Sequence, residues 1–391
     1  MKYPLFKVHV DTKTAIKNVR EVFKSGFINE GSQVTELTQK LSTIMNSDTL
    51  VLVNSCTSAL TLAVRMASKG KIYETIVSTP MTCVATNCPI INEHCLITWA
   101  DIDPTTGCIS PDSVDERLDE EKACAVMAVA WAGNPPDLES LRKICDHHGV
   151  KLILDAAHAF GATYKGKLIH EWADYTCYSL QAIKHITSGD GGILVCRSQE
   201  DFELAKKLKW FGIDRDDAKN DKGEWKGQSW DIDIEDVGYK FNMNNLTAAI
   251  GLSQIEHIDS LIQKHRDNAA TYDQIFNNIN EPGRFYTNDT VPVPLRRYEG
   301  SESSFWVYTV ITSGITIEQK LGLMKQLNSE GINVGLVHVP NHNYTCFSEF
   351  KRDLPGVEEF HARQISLPCG WWLTEKHIKK IAKRVIEVCK G

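Results

Sequence analysis

"KLILDAAHAFGATYKG", residues 151–166, orders the reading of the whole chain. Leu152, Ile153 and Leu154 form a short unbroken apolar run, the pattern of a buried strand, and the run ends on a carboxylate, Asp155. In parallel sheets ligands sit outside the carboxyl ends of the strands, so an acid in this place faces a ligand site. The neighbouring stretches agree. "TLVLVNS" (49–55) is a short apolar strand that runs into "SCTSALTLAVRMA" (55–67), where Ser and Thr precede an amphipathic helix. "TIVSTP" (75–80), "CLITWADID" (95–103) and "AVMAVAWAG" (125–133) are further strand candidates, and "DLESLRKICDHHG" (137–149) is helical. Such alternation implies an α/β fold with a mostly parallel sheet flanked by helices.

The remainder divides differently. "NNLTAAIGLSQIEHIDSLIQKHRDNAATYDQIF" (244–276) is rich in helix formers and predicts one long helix that bridges two domains. After it, residues 281–391 mix short strands with helices, ending in the basic amphipathic "TEKHIKKIAKRVIEV" (374–388). We therefore expect a large domain over residues 1–250, then the linking helix and a small domain over 251–391. The polar stretch 213–236 is expected to be a long excursion over the surface or across a partner.

Composition narrows the class of partner. The 391 residues carry a net charge of −7 without a dense Lys/Arg block, which argues against nucleic acid or an anionic membrane and favours a small solute. No stretch approaches the roughly 18 apolar residues of a membrane span, and the opening segment lacks the apolar core of a signal peptide, so a cytoplasmic location is expected. The twelve cysteines are scattered, with no CxxC pair and no Cys/His cluster at zinc spacing, so reduced, mostly buried thiols and no metal are expected.

Three motifs carry chemistry. In "NSCTSAL" (54–60) a strand end meets a helix start, where free N–H groups and the helix dipole favour an anion; Cys56 and Thr57 would face it, although the same residues also read as an ordinary N-cap. Asp155 beside a pyridine nitrogen would keep that nitrogen protonated, the condition under which pyridoxal phosphate acts as an electron sink, and His158 would lie against the ring; a turn-capping Asp and a partly buried His read equally well. In "SLQAIKHITSGDGGILVC" (179–196) Ser179 offers a hydroxyl to phosphate and Lys184 an amine to an aldehyde. The amine must be uncharged for that, hence held where burial or a nearby cation lowers its pKa, and the glycines allow close backbone approach. A solvated loop lysine is the alternative.

In this order the motifs resemble the sugar aminotransferases of the DegT/DnrJ/EryC1/StrS type, fold-type I pyridoxal-phosphate enzymes with a large α/β/α domain and a smaller α+β C-terminal domain. "SGFINEG" (25–31) and "WADIDPTTGCISPDSV" (99–114) extend the resemblance over nearly the whole chain. It implies that Lys184 is the lysine linked to pyridoxal 5'-phosphate, that Asp155 partners the pyridine nitrogen, that His158 faces the ring, and that Cys56, Thr57 and Ser179 hold the phosphate. It also implies glutamate as amino donor, a nucleotide-linked 4-keto-6-deoxy sugar as acceptor, and a homodimer with shared sites.

Departures from the family pattern are visible. "TPMTCVATN" (79–87) places Cys83 where an aromatic residue often stacks on the cofactor. In "VGYKFNMNN" (237–245) Lys240 stands where an Asn usually reaches the neighbouring subunit's phosphate, and Asn242 replaces an Arg. A lysine can still meet phosphate as a point charge, or be plain solvated surface. His342 in "LVHVPNHNY" (336–344) matches a histidine near the sugar-binding region, and Asn29 is a weaker substrate contact. The family's sugar dehydratases carry histidine in place of the lysine; here Lys184 precedes His185, which is read as structural, so transamination is favoured. A dehydratase, or a non-catalytic cofactor-binding protein, are the alternatives.

Overall fold

The computed structural model describes residues 2–214, 233–279, 292–312 and 315–389. Seven strands form the central sheet: β1 (Leu50–Val53), β2 (Thr75–Ser78), β3 (Leu96–Trp99), β4 (Ala123–Val129), β5 (Lys151–Asp155), β6 (Tyr175–Ser179) and β7 (Gly192–Cys196). Their order is β1-β7-β6-β5-β4-β2-β3, and β7 alone runs antiparallel to its neighbours. Asp155 is level with Cys177 on one side and Val129 on the other, which puts its carboxylate at the carboxyl edge of the sheet.

The period of two along each strand divides the interior into two apolar layers. Val51, Val53, Ile153 and Leu194 pack towards α3 (Cys56–Ala67), α4 (Val84–Asn92) and α7 (Gln199–Leu208). Leu50, Leu52, Leu152, Leu154 and Ile193 pack on the other face, towards α2 (Ser32–Met45), α5 (Pro111–Glu120), α6 (Leu138–His148) and α8 (Asn245–Leu252). The result is an α/β/α sandwich. α1 (Thr12–Ser25) lies against α8; the Asp11 side chain accepts from the Thr14 N–H at its start and Gly26, at φ 70°, ends it.

A third cluster forms around an antiparallel sheet of β8 (Pro292–Pro294), β9 (Tyr308–Thr312) and β10 (Gln364–Leu367). It is covered by α9 (Ile258–Ile279), α10 (Ile317–Ser329) and α12 (Glu375–Cys389), and takes in Tyr3 from the start of the chain. The remaining helix, α11 (Pro355–Arg363), has no cap of its own. Asp101 supplies one from beyond β3: its carboxylate accepts from the N–H groups of Gly356 and Val357, each at 2.8 Å. Gly356 is required there, because a Cβ would lie 2.2 Å from the Ile102 carbonyl oxygen.

One expectation is corrected. The single helix predicted over 244–276 is two helices, α8 and α9, separated by a 3-10 turn at Ile255–His257. At the break the Ser253 hydroxyl donates to the Ile250 carbonyl, and the Gln254 amide donates to Ser253 and meets His9. Local side-chain bonds of this kind compete with the helical ladder. Of the stretch expected to cross the surface, residues 215–232 lie outside the described residues. No helix among the described residues is long and apolar enough to cross a membrane.

Candidate active site

Lys184 lies on the loop between β6 and β7, an antiparallel pair whose loop is pinned by bonds from the Ser188 N–H (2.9 Å) and the Thr187 hydroxyl (3.1 Å) to the Leu180 carbonyl. Its half-buried amine sits 3.8 Å from the centroid of the Trp306 ring. Burial pushes that amine down to about 8, against the opposing pull of the Asp155 carboxylate. A larger neutral fraction is therefore present near neutral pH than in an ordinary lysine, and the neutral amine is the nucleophilic form.

Asp155 is buried at the end of β5, where Oδ2 accepts from the Thr86 hydroxyl (2.7 Å) and Oδ1 from the Ala157 N–H (3.0 Å). Burial raises its pKa, and the bonds from Thr86 and Ala157 oppose that by favouring the anion. The Thr82 and Thr86 hydroxyls are 2.7 Å apart, so a short relay of hydroxyls backs the carboxylate. His158, one turn further on, is stacked on Trp306 (centroids 3.9 Å, planes 15° apart) and on His338 (5.3 Å, 11°). Burial and the charge of Lys184 hold its pKa well below the usual histidine value, so it is neutral, and its Nδ1 has no partner.

The third part is the start of α3. The Ser55 side chain accepts from the Ser58 N–H, leaving the N–H groups of the first turn at Cys56 and Thr57. Gly192, at the start of β7, passes so close that a Cβ would lie 2.5 Å from the Ser55 carbonyl oxygen and 2.6 Å from the Cys56 nitrogen. The glycine run downstream of Lys184 thus brings the lysine loop and the helix N-terminus together. Ser179 closes β6, buried, with its hydroxyl accepting from the Gln181 N–H (3.2 Å). Cys83, half-buried, is the residue before α4.

Other residues singled out from sequence bond to groups other than Lys184. Asn29 and Lys240 belong to a second group: Asn29 accepts from Asn242 (3.2 Å), Lys240 donates to Asn242, and the Lys240 amine lies 3.9 Å over the Trp210 ring. His342 is buried against Glu358 of α11, Nε2 to Oε1 3.1 Å, and is not among the side chains gathered around Lys184. His338, four residues earlier in the same quoted motif, is. His338, Trp306 and Thr86 were missed from sequence. Of the two histidines in one loop the resemblance pointed to His342, not His338, and nothing in "SSFWVYTV" (303–310) sets Trp306 apart from the core aromatics beside it. His185, read from sequence as structural, is buried and donates from Nε2 to the Ser304 carbonyl (2.9 Å). All twelve cysteines are free, and no metal-ligating cluster occurs among the described residues.

An aldehyde for Lys184, a ring nitrogen for Asp155 and an anion for α3 are features of one molecule, pyridoxal 5'-phosphate, and the unpartnered His158 nitrogen beside them fits the same ligand. The fold and the site define a fold-type I pyridoxal-phosphate enzyme. Residues 9–386 match the DegT/DnrJ/EryC1/StrS aminotransferase family, and the chain belongs to it. It is similar to the UDP-4-amino-4,6-dideoxy-N-acetyl-beta-L-altrosamine transaminase of Helicobacter pylori, 27% identical over 374 residues that cover 95% of this chain and 94% of that one. Among solved structures it resembles the sugar aminotransferase CalS13 from Micromonospora echinospora (28% identity, 98% of this chain and 99% of that one, TM-score 0.87). It also resembles Spr1654 from Streptococcus pneumoniae in its PLP form (25% identity, 100% and 99%, TM-score 0.86). The protein is a pyridoxal-phosphate-dependent aminotransferase of that family.

Proposed function

We propose that the chain moves the amino group of glutamate to a nucleotide-linked 4-keto-6-deoxy sugar, in the cytoplasm, as a homodimer. The observation that carries the transfer chemistry is the amine of Lys184, lowered to about 8 and held near a buried carboxylate. When bound, the cofactor supplies an aldehyde that takes up the donor's nitrogen and a ring that accepts the electron pair of the broken C–H bond. Asp155, with Thr86 and Ala157 donating to it, would hold a proton at the ring nitrogen. The first turn of α3, with Ser179, would bind the phosphate. Lys184 Nζ would take the proton from the donor's α-carbon and pass it to the carbon that was the aldehyde, and a water molecule would supply the ketone oxygen as 2-oxoglutarate leaves without its nitrogen. The second half reverses these steps on the keto sugar, giving the amino sugar with ping-pong kinetics. Burial disfavours the charged form of His158, so it adds no charge that would compete with Asp155.

The homodimer is supported by an apolar face. Val8, Val10, Ile16 and Phe23 are exposed beside a groove of about 850 Å³ that is also lined by Ala182, Thr187 and Gly189 of the lysine loop. A second copy covering this face would bring its own residues next to Lys184, and Asn29 and Lys240 are candidates for that role. Absorbance spectra test the reading. Glutamate should convert the visible band of the bound cofactor to a near-ultraviolet one in the native protein and leave it unchanged in Lys184→Ala. A cofactor band that no amino donor alters would overturn the proposal, and a chain that stays monomeric and active at high dilution would overturn its shared-site part.

A further inference from the structure

Two non-glycine residues near the cleft have a positive φ, Phe305 at 49° and Val337 at 63°. They immediately precede Trp306 and His338, the two rings stacked on His158. Bulky or β-branched residues rarely adopt such backbone, and it persists where the surroundings over-determine it. Around Trp306 they do. His185 donates to the Ser304 carbonyl (2.9 Å), and His265 of α9 donates to the Phe305 carbonyl (2.8 Å). The Ser304 hydroxyl donates to the His158 carbonyl (3.1 Å), and the Trp306 indole N–H donates to the Ile183 carbonyl (2.8 Å), one residue before Lys184. The strap is tied to the lysine loop, to the turn after β5 and to α9, and what it presents is a buried indole 3.8 Å from the lysine amine.

We propose that Trp306 is a positioning residue for Lys184: its indole is the seat of the amine whenever that amine is not joined to the cofactor, and it favours the charged form. The proposal rests on the transfer role given to Lys184 above. An amine released into this cleft meets Asp155 from β5, the thiols of Cys56 and Cys83, and the imidazoles of His158, His185 and His338, all three of which sit beside its charge. Burial works against the charged form, in which the amine holds the proton it has taken. The negative face of an indole attracts a cation most when both are desolvated. Trp306 thus offsets part of the burial and keeps the amine near the pH at which it must both accept and return a proton.

The test follows Lys184 in the full-length holoenzyme after glutamate, without acceptor, has released it. Trace acetylation with acetic anhydride, read by peptide mass spectrometry across neutral to alkaline pH, gives the titration midpoint of the amine. Trp306→Leu, which keeps an apolar wall but removes the π face, should lower the midpoint by about one unit, a tenfold change in proton affinity. Trp306→Phe should lower it by less than half as much, and it preserves the measurement if the leucine variant folds poorly. In both, kcat should fall while KM for glutamate holds. A midpoint that is unchanged or raised in the leucine variant, or in the phenylalanine variant if only that one folds, overturns the proposal. A native protein in which glutamate exposes no Lys184 label overturns the transfer reading itself, which is a distinguishable result.

Discussion

Among the described residues two lysines have amines that burial pushes down to about 8, and they sit in opposite kinds of place. Lys184 lies on a loop at the sheet edge, half open, with an indole at 3.8 Å and the Asp155 carboxylate acting on its charge. Lys320 is on α10, wholly buried, and donates to the His361 carbonyl in the last turn of α11. Both reach a similar proton affinity, Lys320 through burial alone and Lys184 through burial opposed by Asp155 and the nearby thiols. A lowered pKa is therefore a by-product of packing as readily as a catalytic device, and what separates the two lysines is access and the chemistry of their neighbours.

That contrast is broken if the wrong lysine proves essential. Lys184→Ala should cut turnover by roughly 10⁴-fold or more, whereas Lys320→Met should leave kcat and KM within about twofold, both by steady-state kinetics. Next in size is the carboxylate opposite Lys184. Asp155→Asn keeps the shape but removes the charge, and should lower kcat by about 10²–10³-fold while the protein still folds. A smaller effect separates the two histidines of one loop. His338→Ala should raise KM for the acceptor about tenfold, because its ring stands in the cleft. His342→Ala should instead lower the melting temperature by a few degrees with little change in KM, since its partner is Glu358. Equal KM effects would place both histidines in the substrate site.

The smallest expected effect concerns Lys320 and pH. Its folded pKa lies below the unfolded value, so below about 8 both states are charged and folding bears the full cost of burying the charge. Between about 8 and the ordinary lysine value near 10.5, the folded state sheds a proton that the unfolded state keeps, and stability rises with pH. Lys320→Met should flatten that rise and increase the melting temperature at neutral pH by roughly 2–4 °C, measured by calorimetry. A steeper rise in the variant would mean that the bond to the His361 carbonyl outweighs the burial.

Much of the cofactor half of the site was legible in the amino-acid sequence. Leu152, Ile153 and Leu154 ending on Asp155, the small hydroxyl residues opening α3, and Lys184 upstream of Gly189, Gly191 and Gly192 are local patterns. Strand burial, helix capping and close backbone approach are each decided within a few neighbouring residues, which is why those readings transfer to the folded chain. The break between α8 and α9 escaped the same reasoning because it depends on polar side chains reaching backbone and on His9 from the far N-terminal segment.

The side of the cleft away from the sheet could not be read that way. Trp306 reaches the lysine loop by an indole bond to Ile183, 123 residues back, and His338 reaches His158 across 180. Thr86 meets Asp155 from 69 residues away. Nothing in the composition of "SSFWVYTV" or "LVHVPNHNY" separates a ring that enters the cleft from one that fills a core. That choice is made by the positive φ at Phe305 and Val337 and, at Phe305, by His265, which donates to its carbonyl. The sequence by itself determined the α/β/α frame, the strand-end acid and the loop amine, because short-range sterics and hydrophobic periodicity act there. Which aromatic and imidazole groups surround that amine, and which of the two buried lysines is placed for chemistry, only the tertiary structure decided, because those contacts join segments that are far apart along the chain.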